Sequence, residues 1–154
     1  MRDRPNFLLI YADQLRWDAL GIHQPWLRTP HLDRLAAEGL LVERTYAPTP
    51  VCLPSRASTL TGQYPSTHGA TNNYCFLPQD WDPLLSRVLG AAGYATHLIG
   101  KSHLNAMFDA ASPESFPHIA DRAHFARWHG PWYGFERADL CIGHTTEPVA
   151  PHMH

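Results

Sequence analysis

The chain has 154 residues, 44% hydrophobic and 17% charged. That balance suits one folded domain of ordinary size and excludes a disordered chain. Lys and Arg number 12 against 14 Asp and Glu, so no basic surplus is present to neutralise a nucleic-acid backbone. No apolar run approaches the ~20 residues that span a bilayer. Met1–Asn6 leads into an apolar run too short for a signal-peptide core, so the chain is expected to be cytoplasmic, with neither nucleic acid nor membrane as partner. Cys52, Cys75 and Cys141 are too few for a disulfide framework and form no zinc-binding pair. The 11 His invite a metal or pH-switch reading, but most read as ordinary surface or core residues.

Phe7-Leu8-Leu9-Ile10-Tyr11-Ala12 is continuously apolar and ends at Asp13, the pattern of a strand buried on both faces. Thr29 to Gly39 carries helix punctuation: Thr29 can cap, Pro30 fits the first position and Gly39 can stop it. Leu32, Leu35 and Ala36 then share the face that would pack on a sheet. A second strand is expected near 41–46, followed by a proline-rich loop. Ser55 to Thr61 reads as a short helix stopped by Gly62. Pro83 to Ala92 reads as a helix with Leu84, Leu85, Val88 and Leu89 on its apolar side. Ala95–Gly100 is the next buried strand. The order strand, helix, strand, helix, strand predicts an α/β fold with a largely parallel central sheet flanked by helices. Residues 105–154 are irregular, with a short strand expected from Ala138 towards His144, and the tail reads as cut rather than finished.

Three features converge on one sheet edge, beyond the carboxyl ends of the strands, where α/β folds bind ligands. Asp13 follows the first strand and could bind a hard cation. Lys101 and His103 follow the strand at 95–100 and could grip an anion. Taken singly, Asp13 reads as a cap and Lys101 as a solvated cation. An ionisable residue directly after each of two buried strands weighs against that. The third feature is Cys52-Leu53-Pro54-Ser55-Arg56 with Leu60-Thr61-Gly62. Cys52 falls just before a helix N-terminus, where N–H groups and the dipole favour an anion or a deprotonated nucleophile. Arg56, one turn on, adds charge-assisted hydrogen bonds. A buried structural Cys followed by a surface Arg is the alternative. A cysteine-phosphatase loop is rejected, because only three residues separate Cys52 from Arg56 and prolines interrupt them.

The run Cys52-Leu53-Pro54-Ser55-Arg56, continued by Leu60-Thr61-Gly62, resembles the signature of type I sulfatases in the alkaline-phosphatase superfamily. Pro5–Ile10 with Asp13-Gln14, Thr29–Leu35, Gly100-Lys101-Ser102-His103-Leu104 and, more loosely, Trp132-Tyr133-Gly134-Phe135 resemble the same family. The resemblance implies a partial alkaline-phosphatase-like sandwich, with residues 1–154 the N-terminal portion of a longer catalytic domain. It implies that Cys52 is oxidised to formylglycine by a formylglycine-generating enzyme as maturation partner. The hydrated aldehyde, activated by a divalent cation, would attack the sulfur of a small-molecule sulfate ester, and its second hydroxyl would then expel sulfate.

By the same resemblance Asp13, Gln14 and the modified Cys52 are metal ligands, calcium being the expected ion, with magnesium or manganese as alternatives. Arg56 holds the hydrate, and Lys101 and His103 contact sulfate or hydrate. Asn73 stands where relatives place an Asn near sulfate; a plain turn residue in Thr71-Asn72-Asn73 is the alternative. Asp13-Gln14, where many sulfatases carry two aspartates, resembles the choline-sulfatase and phosphonate-monoester-hydrolase branch. Lys101-x-His103 points back to sulfate esters. The later metal ligands and catalytic residues of the family have no match in residues 105–154, and His144, His152 and His154 do not replace them. The alternatives are a phosphonate or phosphodiester hydrolase on the same site and a non-catalytic anion-binding fragment. Homo-oligomerisation is left open.

Overall fold

Proline starts and left-handed glycine ends recur along the helices of this chain. The computed structural model describes residues 4–110, 112, 114, 115, 123 and 126–141. The strand end expected at Ile142–His144, and the tail with His152 and His154, lie outside the described residues. The chain divides into two compact units, Met1–Tyr46 and Ala47–His154.

In the first unit, α1 (Pro30–Glu38) begins at Pro30, as the sequence predicts. Thr29 occupies the cap position without capping: its hydroxyl donates to Asp33 Oδ1 at 2.7 Å and accepts the Gly21 N–H at 2.7 Å. The hydroxyl thus ties the loop before the helix to its first turn. Gly39 ends the helix with φ −114°, outside the left-handed region, its N–H bonded to the Leu35 carbonyl. Two expectations fail here. Neither Phe7–Ala12 nor 41–46 is a strand, and Phe7, Leu8, Leu9 and Ile10 are 65%, 85%, 64% and 75% exposed. The reason is a lack of covering layers. A continuous apolar strand needs partners on its edges and faces, whereas α1 buries none of its own residues, Leu32 and Leu35 included.

The second unit holds the core. Helix α2 (Cys52–Thr61) starts at Cys52, three residues earlier than Ser55, and stops at Gly62 with φ 69°. Leu53, Pro54, Ala57, Ser58 and Thr61 are its buried side. The short α3 (Pro65–His68) turns back on it and ends at Gly69, φ 75°. The next helix, α4 (Leu85–Ala91), is shorter than Pro83–Ala92 because Leu84 is extended, φ −118° and ψ 137°. Its apolar side is corrected accordingly. Leu84 is fully buried and Leu89 half-buried, while Leu85 and Val88 are exposed and Ser86 is buried instead.

Strands β1 (His97–Gly100) and β2 (Arg137–Leu140) pair in parallel, with Leu98 opposite Ala138 and Gly100 opposite Leu140. The architecture is α/β with a small parallel sheet, as predicted. β1 alternates rather than being buried on both faces: Leu98 turns to the core, and His97 and Ile99 are exposed. On the exposed face Asp139 accepts from His97 Nε2 at 2.7 Å, His129 Nδ1 at 2.6 Å and Arg137 Nε at 3.2 Å. Burial pushes the Asp139 carboxyl up, but hydrogen bonds from Arg137, His129 and His97 more than offset it and hold the group below the usual range.

Leu53, Ala57, Leu77, Leu84, Leu104, Trp132, Tyr133, Ala138 and Leu140 belong to one core cluster. Trp132 and Phe135 exchange backbone bonds of 3.0 and 2.8 Å, so Trp132-Tyr133-Gly134-Phe135 forms a tight turn. Ser86 Oγ donates to the Tyr133 carbonyl at 2.5 Å, clasping the turn to α4. Gly134 sits at φ 75°, and a Cβ there would come within 2.5 Å of Arg87 Cγ and 2.8 Å of Ser86 Oγ. Gly134→Ala combines left-handed strain with a clash and is expected to cost about 1–3 kcal/mol. Denaturant unfolding of the full-length protein measures it.

His68 locks α3 to α2. The Ala70 N–H donates to Nδ1 at 3.2 Å, so Nε2 carries the proton and meets Ser58 Oγ at 3.0 Å. Burial pushes its pKa below the ordinary 6.5, partly opposed by its backbone hydrogen bond. A depressed folded value means the unfolded chain binds the proton first. Stability is therefore full above the ordinary value and is lost as pH falls through the folded one. Urea midpoints of wild type should fall between about pH 7 and pH 5, and His68→Gln should flatten that slope.

Candidate active site at the start of α2 and the end of β1

Helix periodicity fixes the geometry. Leu53 and Ala57, four residues apart, are both fully buried, which sets the rotation of α2 about its axis. Cys52 and Arg56, also four apart, then share the adjoining stripe and are both half-buried. Cys52 is a free thiol at the first position of the helix rather than before it. The first turn carries no acidic side chain, so the positive end of the helix dipole is not offset within the helix.

Arg56 reaches across 45 residues of sequence, and its Nη1 donates to the Lys101 carbonyl at 2.6 Å. Lys101 directly follows β1, after Gly100 turns the chain at φ 102°. The two cationic residues are therefore joined through backbone, at the carboxyl end of a strand where α/β folds bind ligands.

Asn73 belongs to the same corner. Its Oδ1 accepts the Leu53 N–H at 3.0 Å and so caps α2 from 20 residues away. With the oxygen engaged in this way, the carboxamide nitrogen remains the donor end. The cap holds Asn73 beside Leu53, the residue after Cys52. Asn73→Ala removes the cap and is expected to cost about 0.5–2 kcal/mol, read as a lower unfolding midpoint of the full-length protein.

His103 is 3% exposed and adopts a left-handed backbone, φ 49°. The residues around it were not legible from spacing. Glu114, 2% exposed, accepts the Leu104 N–H at 2.7 Å and the Asn105 N–H at 2.8 Å. Ser102 Oγ accepts the Trp132 indole N–H at 2.8 Å. Asn105 Nδ2 donates to the Tyr133 hydroxyl at 3.0 Å, which in turn donates to the Leu77 carbonyl. Burial pushes the Tyr133 hydroxyl far above its usual pKa, the Glu114 charge adds to this, and Asn105 opposes it. The phenol therefore stays a neutral donor. Glu114 lies in an aperiodic stretch, and no sequence signal marked it.

Asp13 and Gln14 lie in the first unit. Both are exposed, and Gln14 has a left-handed φ of 54°. Their oxygens suit a hard cation, but two donors fall short of the six to eight oxygens that calcium takes. Among the described residues no group of three or more His, Cys, Asp or Glu is arranged to hold a metal. No described helix is long and apolar enough to cross a membrane.

The sulfatase family profile matches residues 5–134. Steryl-sulfatase of Mus musculus is 44% identical over 138 residues, covering 82% of this chain and 22% of that protein. N-acetylgalactosamine-6-sulfatase of Sus scrofa is 42% identical over 114 residues, covering 65% of this chain and 22% of that protein. An ulvan-active sulfatase of Formosa agariphila is 43% identical over 103 residues, covering 66% and 20% respectively. The chain thus spans about a fifth of the length of these curated relatives.

Proposed function

The chain belongs to the sulfatase family, and from that premise we propose that the full-length protein hydrolyses sulfate esters at a site centred on Cys52. One observation carries the reading. Cys52 begins a helix whose first turn lacks acid, and Arg56 on the same stripe is tied to the Lys101 backbone at 2.6 Å. A nucleophile position, a helix N-terminus and two cationic residues are thereby assembled in one unit, where an oxyanion is favoured.

Each residue then has a task. Arg56 offers a planar set of donors to the bound oxyanion while one N–H anchors it to Lys101. Lys101 supplies a positive charge against charge growing on the transferred group. Asn73 holds the first turn of α2 in place and turns its carboxamide nitrogen to the task of donor. His103 is the group to hold or give a proton near the leaving oxygen. Oxidised to formylglycine by a formylglycine-generating enzyme, Cys52 would supply a hydrated aldehyde as nucleophile. Asp13 and Gln14 would give oxygen donors to a divalent cation, calcium by donor type, which would make that nucleophile more acidic.

The neutral Gln14 beside Asp13 favours a second reading, a phosphonate or phosphodiester hydrolase of the same superfamily, because it lowers the anionic charge at the metal. Lys101 with His103 favours sulfate.

Full-length protein co-expressed with a formylglycine-generating enzyme is the test. The Cys52 peptide is expected to show the mass loss of thiol-to-aldehyde conversion, and aryl sulfate to be preferred over phosphodiester and phosphonate. Cys52→Ala should lower kcat by at least about a thousandfold, and Arg56→Ala kcat/KM by about a hundredfold or more. Preference for phosphorus esters overturns the sulfatase reading. Full turnover with unmodified Cys52 overturns the nucleophile.

A further inference from the structure

The buried polar cluster beneath Lys101 and His103 is not used by the proposed reaction. An isolated carboxylate in such a place costs several kcal/mol. Glu114 is nevertheless buried among donors. The backbone N–H groups of Leu104 and Asn105 meet its Oε2 at 2.7 and 2.8 Å, and the His103 N–H and the Ser102 hydroxyl also donate to it. Three successive amides can converge on one anion when the chain forms a concave nest, and the left-handed His103 creates that curvature. The hydroxyl is aimed as well, since Ser102 Oγ already accepts the Trp132 indole N–H. Burial holds the Glu114 pKa above its ordinary value, and these four donors oppose that rise only in part. The three amides can only donate, which suits the ionised form.

The turn has other moorings. The Lys101 carbonyl is held by Arg56, and the Leu104 carbonyl by the Leu77 N–H at 2.8 Å. Between these two points, the structure shows Glu114 gathering the intervening backbone.

We infer that Glu114 is a positioning residue of the anion site, its carboxylate shaping the Ser102–Asn105 nest that carries Lys101 and His103. The inference rests on the sulfatase reading for its catalytic consequence, and on the nest alone for its structural one. Glu114 touches no reacting atom. It acts through the backbone of the turn, and errors of an ångström at a reacting centre cost on the order of a hundredfold in rate. A glutamine keeps one carbonyl oxygen for the Leu104 and Asn105 amides. It also brings N–H groups against donors, so it loosens the nest rather than abolishing it. An alanine removes the acceptor entirely.

The experiment uses full-length Glu114→Gln and Glu114→Ala, with Lys101→Ala and Lys101→Ala/Glu114→Gln completing a cycle. Amide hydrogen exchange across 101–105 is read beside kcat and KM for an aryl sulfate. In Glu114→Gln, exchange at 103–105 is expected to quicken by about tenfold or more. Its kcat should fall by about ten- to a hundredfold with KM within about threefold. The double variant should lose less than the product of the single losses, because both act through one turn. Glu114→Ala should be worse than Glu114→Gln. A folded Glu114→Gln with unchanged exchange, unchanged kcat or strictly multiplicative losses overturns the inference. If wild type hydrolyses no sulfate ester, the sulfatase reading fails, and the exchange arm alone decides whether Glu114 shapes the turn.

Discussion

The burial of one side of α2 is the constraint on which the site depends. Leu53 and Ala57 reach zero exposure on the same helical stripe. Rotating the helix would lift both into water, and a buried leucine alone is worth about 1.5–3 kcal/mol. That cost fixes the azimuth of Cys52 and Arg56, one residue earlier at each step. Their partial exposure follows from packing, not from any preference of their own. A thiol and a guanidinium are thus held at the rim of a core by apolar neighbours that take no part in chemistry. The Asn73 cap acts along the other coordinate, fixing where the helix starts.

The second support is electrostatic. Arg56, one turn into α2, carries its charge to the backbone of Lys101, whose carbonyl takes one Arg56 N–H. Glu114 accepts from amides and a hydroxyl of the same turn. The backbone of the turn is thus held from within by an acceptor that engages its amides.

Local signals were legible where local forces decide the outcome. Pro30 and Gly62 mark helix ends because proline and left-handed glycine act through their own dihedrals. The parallel pairing of 97–100 with 137–140 agrees with an α/β reading of the chain order. Cys52, Arg56 and Lys101 fall in one unit because a helix start and a strand end are places a sequence can announce. The apolar run at Phe7–Ala12 was misread for a physical reason. Continuous hydrophobicity reports that a segment is to be covered, not what covers it, and the first unit offers too little structure to do so. Leu85 and Val88 share a helical stripe with Leu89 but are exposed on α4, because the side turned inward is set by Ser86, whose hydroxyl is clasped to the Tyr133 carbonyl, and periodicity alone does not record that contact.

Glu114 was invisible for a different reason. Its partners are amides, and an amide is present at every residue except proline, so no residue pattern records where three of them converge. The convergence is set by φ at His103, a non-glycine residue in a left-handed conformation that sequence does not betray. Such a conformation costs of order 1–3 kcal/mol and persists only when surroundings over-determine it. Here they do: Arg56 grips the turn before His103, Leu77 after it, and Glu114 draws its amides inward. The strained residue is also one of those matched to the sulfatase site. Strain at His103 and the buried charge at Glu114 are thus two halves of one device, each unfavourable alone and each removing the cost of the other.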